Sequence, residues 1–357
     1  MDFIVAKADL HSCRFEDAPA SAAEPGPGEA LLRVDAFGLT SNNITYAMFG
    51  EAMSYWQFFP AAEDGWGRVP VWGFAEVSAS GVPELEVGTR VFGYLPPSTA
   101  LLVAPAHASA HGFTDASPHR AALPPAYNRY ASTQADLMYD AEHEDAQMLL
   151  RPLFLTSYLI DDFLDDSDFF GADTIVLSSA SSKTAGALAF QLSLREGVAV
   201  VGLTSARSAE FARTLGVYDH VVTYDELDSL PDGRAVYVDM TGDAELRAAV
   251  HGHYREQLAH SAVVGATHHD RMGQVPDALP GPRPTFFFAP DRVTKRAADW
   301  GADGLQRRMA DAWHPYVEWA DGWLQVIHGH GPDAVQSAYL DLLDGRIDPA
   351  KAHVLSL

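Results

Sequence analysis

An apolar run, Thr174-Ile175-Val176-Leu177, enters a turn of small residues, Ser178-Ser179-Ala180-Ser181-Ser182, and the turn opens into a helical stretch at Lys183-Thr184. A second apolar run, Val198–Leu203, follows and ends in Thr204-Ser205-Ala206-Arg207. Strand, turn, helix and strand in this order make one βαβ unit, which commits the chain to a parallel sheet. The helix N-terminus of such a unit is an anion site, because its first amides lack partners and its dipole end is positive. The tip of the second strand is where the ribose of a bound dinucleotide lies. Here that tip carries Thr204, Ser205 and Arg207 and no carboxylate. Hydroxyls and a guanidinium suit a 2′-phosphate, whereas a carboxylate suits a bare 2′-hydroxyl. The passage predicts NADPH as cofactor, with Ser181, Ser182, Lys183 and Thr184 at its phosphates and Thr204, Ser205 and Arg207 at its ribose.

The glycines that usually let a pyrophosphate approach such a turn are missing. Serine and alanine are small enough to replace them, and Lys183 can neutralise a phosphate directly. The competing reading is a βαβ unit with a serine-rich helix cap and no nucleotide, since serine favours N-caps for its own reasons. A degenerate P-loop fits less well, because Leu177 and Ser182 stand where both of its glycines belong.

Only four residues are lysine (Lys7, Lys183, Lys295 and Lys351), so a lysine in this turn is informative. The 357-residue chain carries a formal charge of −24, with 48 acidic residues against 24 Lys and Arg. Such acidity argues against nucleic acid or an anionic membrane as partner. Cys13 is the one cysteine, which excludes an internal disulfide and a cysteine-based zinc site. The N-terminal residues lack a basic segment followed by a long apolar core, and no apolar run reaches membrane-spanning length, so the expectation is a cytoplasmic protein.

Residues 1–105 read as short strands punctuated by Gly and Pro, as in a partly open barrel. Residues 106–148 show little periodicity but are rich in His, Tyr and Arg, which leaves a functional or mobile excursion and a mere surface cover as alternatives. A helix is expected from Met148 to Leu164, ending in a solvated acidic face at Asp161–Asp168. Strands and helices then alternate to Val264, which implies a doubly wound parallel sheet. Residues 265–300 read as loop except for a strand at Thr285–Phe288, and helices are expected over Gly304–Val317 and Gly331–Leu343. The domain reading is 1–148, with an insertion at about 106–145, then 149–288, with 289–357 as a return that completes the fold.

Several segments in this order resemble the medium-chain dehydrogenase/reductase superfamily, on its zinc-free quinone- and enoyl-reductase side. Pro25–Val34 looks like its opening strand, Ala36–Asn43 like its a-x-G-l-N-x-x-D segment, and Val87-Gly88-Thr89-Arg90-Val91 like v-G-D-R-V. Phe211–His220 resembles the segment after its second nucleotide-binding strand, and Leu343–Arg346 and Ala352–Leu357 resemble its close. The chain also resembles an uncharacterised bacterial branch carrying Ser-Ser-Ala-Ser-Ser-Lys-Thr at the cofactor turn. The resemblance implies an α/β fold with a GroES-like, partly open β-barrel domain, a Rossmann-like domain, and the active cleft between them.

Hydride transfer without zinc needs O–H or N–H donors for the developing charge. The resemblance places polar cleft residues at Asn42, Asn43 and Tyr46. Tyr46 and Asn43 are therefore catalytic candidates, against a packed aromatic as the alternative for Tyr46. Trp56, Phe58, Phe59 and Trp72 are either a wall for a flat substrate or plain core. Val263–Asp270 follows the fifth strand of the parallel sheet, where ligands bind, so Gly265 is a cofactor candidate and His268 an acid–base candidate. His251 and His253 read as surface residues, as do His328 and His330. Arg292, Lys295 and Arg296 either bind an acidic ligand or pair with nearby carboxylates.

Three functions stay open. They are an NADPH-dependent reductase of an activated alkene or carbonyl, a non-redox enzyme such as one cleaving a C–C bond, and a non-catalytic binding protein on the same fold. A small-molecule substrate is the expected partner, no metal is expected, and a homodimer is among the possible assemblies.

Overall fold

A computed structural model describes residues 1–264 and 279–357. They divide into two compact units, Met1–Leu149 with Leu324–Leu357, and Leu150–Trp323. The first unit runs β1 (Asp2–Ala6), β2 (Asp9–Glu16), β3 (Ala30–Leu39), α1 (Ser41–Met48), β4 (Trp66–Gly67), β5 (Val71–Ser80), β6 (Arg90–Leu95), β7 (Ala100–Val103), β8 (Pro105–Ser109), β9 (Gly112–Asp115) and β10 (Arg129–Ser132). Strands β1, β2 and β4 form a small antiparallel sheet. The larger sheet pairs β3 with β5 and β7, then continues β5-β6-β10-β9-β8. Alternate residues point inward and build a core from Phe3, Leu32, Phe37, Val71, Val77 and Phe113.

The segment after residue 105 is therefore not an excursion without elements: β8, β9 and β10 extend the barrel sheet. Strands of four or five residues carry too few alternations to show a period of two. Tyr130 of β10 stacks on Phe113 and lies directly over Gly93 of β6, where any side chain would strike its ring.

Next comes α2 (Glu144–Asp166). The second unit then alternates β11 (Thr174–Leu177), α3 (Lys183–Ser193), β12 (Ala199–Thr204), α4 (Ala209–Thr214), β13 (His220–Thr223), β14 (Ala235–Asp239), α5 (Ala244–Tyr254), β15 (Leu258–Val263) and β16 (Thr285–Phe286). These six strands are parallel in the order β13-β12-β11-β14-β15-β16. The order reverses at β11, so the crevice outside the carboxyl ends of β11 and β14 is where ligands bind in such sheets. Strand β11 is buried at every position, as a parallel strand covered on both faces must be.

Two more helices complete this unit, α6 (Ala289–Trp300) and α7 (Ala302–Ala320). Helix α6 corrects the loop expected before residue 300. Its buried face is made of Arg292 and Arg296 rather than apolar residues, so hydrophobic periodicity could not reveal it. Both arginines donate to Asp162, and Arg195 holds Asp161 through two parallel bonds of 2.7 Å. The acidic end of α2 is thus partly buried and paired instead of being a solvated face, and the basic cluster of Arg292, Lys295 and Arg296 pairs with it. Arg292 and Lys295 hold the Asp166 carboxyl down at about 2. His251 is likewise buried: its Nδ1 donates to Pro280 O at 2.9 Å, and its Nε2 accepts from Ser261 Oγ at 3.0 Å. His253 is partly exposed.

The chain then returns to the first unit through β17 (Gln325–His330), α8 (Pro332–Leu343) and β18 (Lys351–Ser356). Strand β17 pairs in parallel with β18, which pairs with β3. His328 and His330 are exposed. Among the described residues no helix is long and apolar enough to cross a membrane.

Candidate functional site

In the second unit the turn between β11 and α3 is held without glycine. Ser179 takes the left-handed conformation, with φ +57°, that a glycine would adopt at no steric cost. Two tyrosines from beside β13 brace the turn: the Ser179 N–H donates to the Tyr224 hydroxyl at 3.1 Å, and the Tyr218 hydroxyl donates to Ala180 O at 2.8 Å. The one glycine that close packing demands lies across the turn, in β12. A Cβ at Gly202 would sit 2.8 Å from the Ala180 Cβ and 2.9 Å from the Tyr218 ring. Behind the turn, buried Ser178 donates to Asp239 at the end of β14. That carboxylate also accepts from the Thr241 and Gly242 N–H groups and from Arg247 Nε at 2.9 Å. A buried carboxylate so fully bonded fixes the two turns to each other.

Ser182 caps α3 by accepting from the Ala185 N–H at 3.2 Å. Ser181, Ser182, Lys183 and Thr184 are all partly exposed around this N-terminus. At the tip of β12, Thr204 is buried and donates to Ser181 Oγ at 3.4 Å, while Ser205 and Arg207 are exposed. The cofactor residues read from the sequence therefore converge, except Gly265, which lies outside the described residues. Arg207 makes no ion pair among the described residues. Tyr218 and Tyr224 were not foreseen. Their signal was a tyrosine on either side of a β13 strand that runs parallel to β12.

In the first unit Tyr46 lies on α1 within an aromatic cluster. Its neighbours are Tyr55 (ring centroids 4.7 Å apart), Tyr94 (5.5 Å) and Tyr127 (6.5 Å), and Phe58 and Phe59 are buried beside them. The Trp72 indole N–H donates to the Tyr46 hydroxyl at 3.3 Å, and the Asn42 amide bonds the same hydroxyl. Burial, then the neighbouring Tyr55, raise the Tyr46 phenol above its ordinary range, and the bonds from Trp72 and Asn42 oppose the rise. At neutral pH it is a protonated donor. The Tyr127 and Tyr55 rings meet edge to face, 6.0 Å apart. Trp56 belongs instead to the barrel core.

Asn43 holds the start of α1. Its Oδ1 accepts from the Thr40 N–H at 2.7 Å and its Nδ2 donates to Pro70 O at 2.9 Å, both in buried surroundings. Such an amide positions the helix that carries Tyr46. His268 lies outside the described residues.

Arg120 organises the segment that reaches this cluster. It is buried and donates to Asn128, Asp115, the Tyr130 hydroxyl and the Tyr127 carbonyl, all within 3.0 Å. Its guanidinium lies over the Phe59 ring at 4.9 Å. Tyr130 passes the bond on to the Tyr94 carbonyl at 2.7 Å. Tyr127 thus meets Tyr46, while the Tyr130 ring belongs to the barrel core.

A GroES-like barrel unit with a Rossmann-like unit defines the fold class. Residues 37–348 match the family described as “protein of unknown function (DUF2855)”, and the chain belongs to that family. No curated protein matches the sequence. Among solved structures the chain is similar to CurA from Vibrio vulnificus in complex with NADPH, with a TM-score of 0.60 and 16% identity over 97% of this chain and 93% of that one. It is also similar to the CurK enoyl reductase (TM-score 0.56, 14% identity, 99% and 98% covered). A third is the yhdH oxidoreductase from Salmonella enterica in complex with NADP (TM-score 0.53, 14% identity, 97% and 95% covered).

Proposed function

We propose that the protein is an NADPH-dependent reductase of an activated alkene or carbonyl that works without zinc. The observation that carries this is the turn after β11. It sets a capped helix N-terminus and Lys183 at the switch point of the sheet, with exposed Ser205 and Arg207 at the tip of β12 and no acid in the stretch Thr204–Ser208. Similar folds have been solved with NADPH and NADP bound. Ser181, Ser182, Lys183 and Thr184 hold the phosphates. Arg207 and Ser205 take the 2′-phosphate, and Tyr224 steadies the turn between them.

Bound NADPH supplies the hydride. To a conjugated carbonyl it would deliver that hydride at the β-carbon, with the α-carbon proton coming from solvent and the charge gathering on the carbonyl oxygen. Tyr46 donates a hydrogen bond to that oxygen as charge collects there, with Asn43 holding its helix in place. Trp72 and Tyr127 offer faces for a flat substrate. Zinc has no part in this reading: Cys13, the one thiol, sits on β2 and accepts from Gln336 of α8. The test is loss of NADPH absorbance with a panel of conjugated enones, aldehydes and quinones, before and after chelator treatment. Turnover that survives the chelator is expected. Turnover that stops with the chelator and returns with zinc would refute zinc independence, and no turnover with any acceptor would favour the non-redox or binding-protein readings.

A further inference from the structure

Tyr94 stands out inside the aromatic cluster. Its side chain is fully buried, and its hydroxyl has no hydrogen-bond partner among the described residues. An unmade bond at a buried hydroxyl costs on the order of 1–3 kcal/mol, and phenylalanine would fill the same space without that cost. The neighbouring Tyr46 phenol, by contrast, accepts from the Trp72 indole N–H. The Tyr94 ring lies against Tyr46, Phe58, Trp72 and Tyr127, with centroids 4.8 to 5.5 Å away. Of these neighbours, Trp72 and Tyr127 are partly exposed. Tyr127 lies on the short stretch that Arg120 anchors through the Tyr127 carbonyl, which leaves the Tyr127 side chain to turn about a fixed backbone.

We infer that Tyr94 is a ligand-binding residue: with Tyr46 it forms a two-phenol site for a single oxygen atom on a planar, conjugated ligand, and the Tyr127 ring is the cover that moves aside to admit it. The class of ligand follows from the lining. Tyrosine and tryptophan faces favour a flat π-system, and two phenol donors favour an oxygen that carries negative charge or gains it. Burial first, then the neighbouring phenols of Tyr46, Tyr127 and Tyr55, push the Tyr94 phenol well up, so it stays a donor at neutral pH. The inference deepens the reductase reading by naming a second donor to the substrate oxygen, but the binding itself needs no NADPH.

The test uses p-nitrophenolate, a flat probe whose absorbance reports the charge on its oxygen, added to the whole protein without NADPH. Wild-type protein is expected to bind it with a shifted absorbance band. Tyr94→Phe should weaken binding by about tenfold or more, as loss of a charge-assisted hydrogen bond does, without lowering the melting temperature. Tyr316→Phe is the matched control. It removes another buried hydroxyl without a partner among the described residues, on α7, and should leave p-nitrophenolate binding unchanged. Equal binding by wild type and Tyr94→Phe would overturn the inference, as would no binding by wild type. NADPH affinity is measured separately on the same samples, so failure here and failure of the reductase reading are told apart.

Discussion

The turn after β11 takes its parts from one short stretch, Ser178–Lys183, and the tip of the next strand. The cluster around Tyr46 gathers side chains from α1, from residues 55–59, from β5 and β6, and from the stretch near Tyr127. One is a local structure braced from outside by two tyrosines, and the other exists only once the barrel is closed. Turn chemistry and helix capping are written in consecutive residues, so the first region was legible in the sequence as a turn opening a serine-capped helix. In the second, Tyr46, Phe58, Phe59 and Trp72 were singled out, but nothing in their spacing tied them to Tyr55 or Tyr94.

The comparison also explains what stayed hidden. Helix α6 buries arginines, so its pattern is charged where a helix is usually apolar. Arg120, Asp115 and Tyr130 form a buried polar hub whose members lie on short strands and turns. The parallel sheet announced itself through apolar runs such as Ile175–Leu177 and Val200–Leu203, because strands buried on both faces need no alternation.

The largest effect is expected at that hub. Arg120→Met leaves Asp115 buried without its cation and should cost about 3–5 kcal/mol, read from urea unfolding. A loss under about 1 kcal/mol would show that the 106–145 segment does not depend on the hub. Tyr46→Phe should lower kcat roughly a hundredfold or more with little change in melting temperature, the cost of removing one donor to a developing oxyanion. Unchanged kcat would make Tyr46 a core aromatic and leave the cluster without a catalytic role.

Arg207→Ala bears on the other region. It should weaken NADPH binding by roughly tenfold or more and leave NADH binding alone, since only NADPH carries the 2′-phosphate. Equal losses for both would place Arg207 elsewhere on the nucleotide. Tyr218→Phe removes the bond to Ala180 O and should cost about 1 kcal/mol in stability, with a few-fold loss of NADPH affinity. If only stability falls, the turn does not contact the nucleotide.

A smaller, pH-dependent effect belongs to His251. Burial holds its pKa below the ordinary value, so the folded protein keeps it neutral. The unfolded chain takes up a proton near pH 6.5, and stability is therefore complete above that value and falls as pH drops through it. The urea midpoint should be lower at about pH 5.5 than at about pH 7.5, and His251→Gln should reduce the difference. An identical pH response in wild type and variant would assign the titration to another group.

The central claim is that a turn of serine and alanine, braced by Tyr218 and Tyr224, binds a phosphorylated dinucleotide. Titrating the protein with NADPH and with NADH, and following the nicotinamide fluorescence, tests it directly. Saturable binding of NADPH, about tenfold or more tighter than that of NADH, is the predicted result. No binding of either nucleotide, or equal affinity for both, would contradict it.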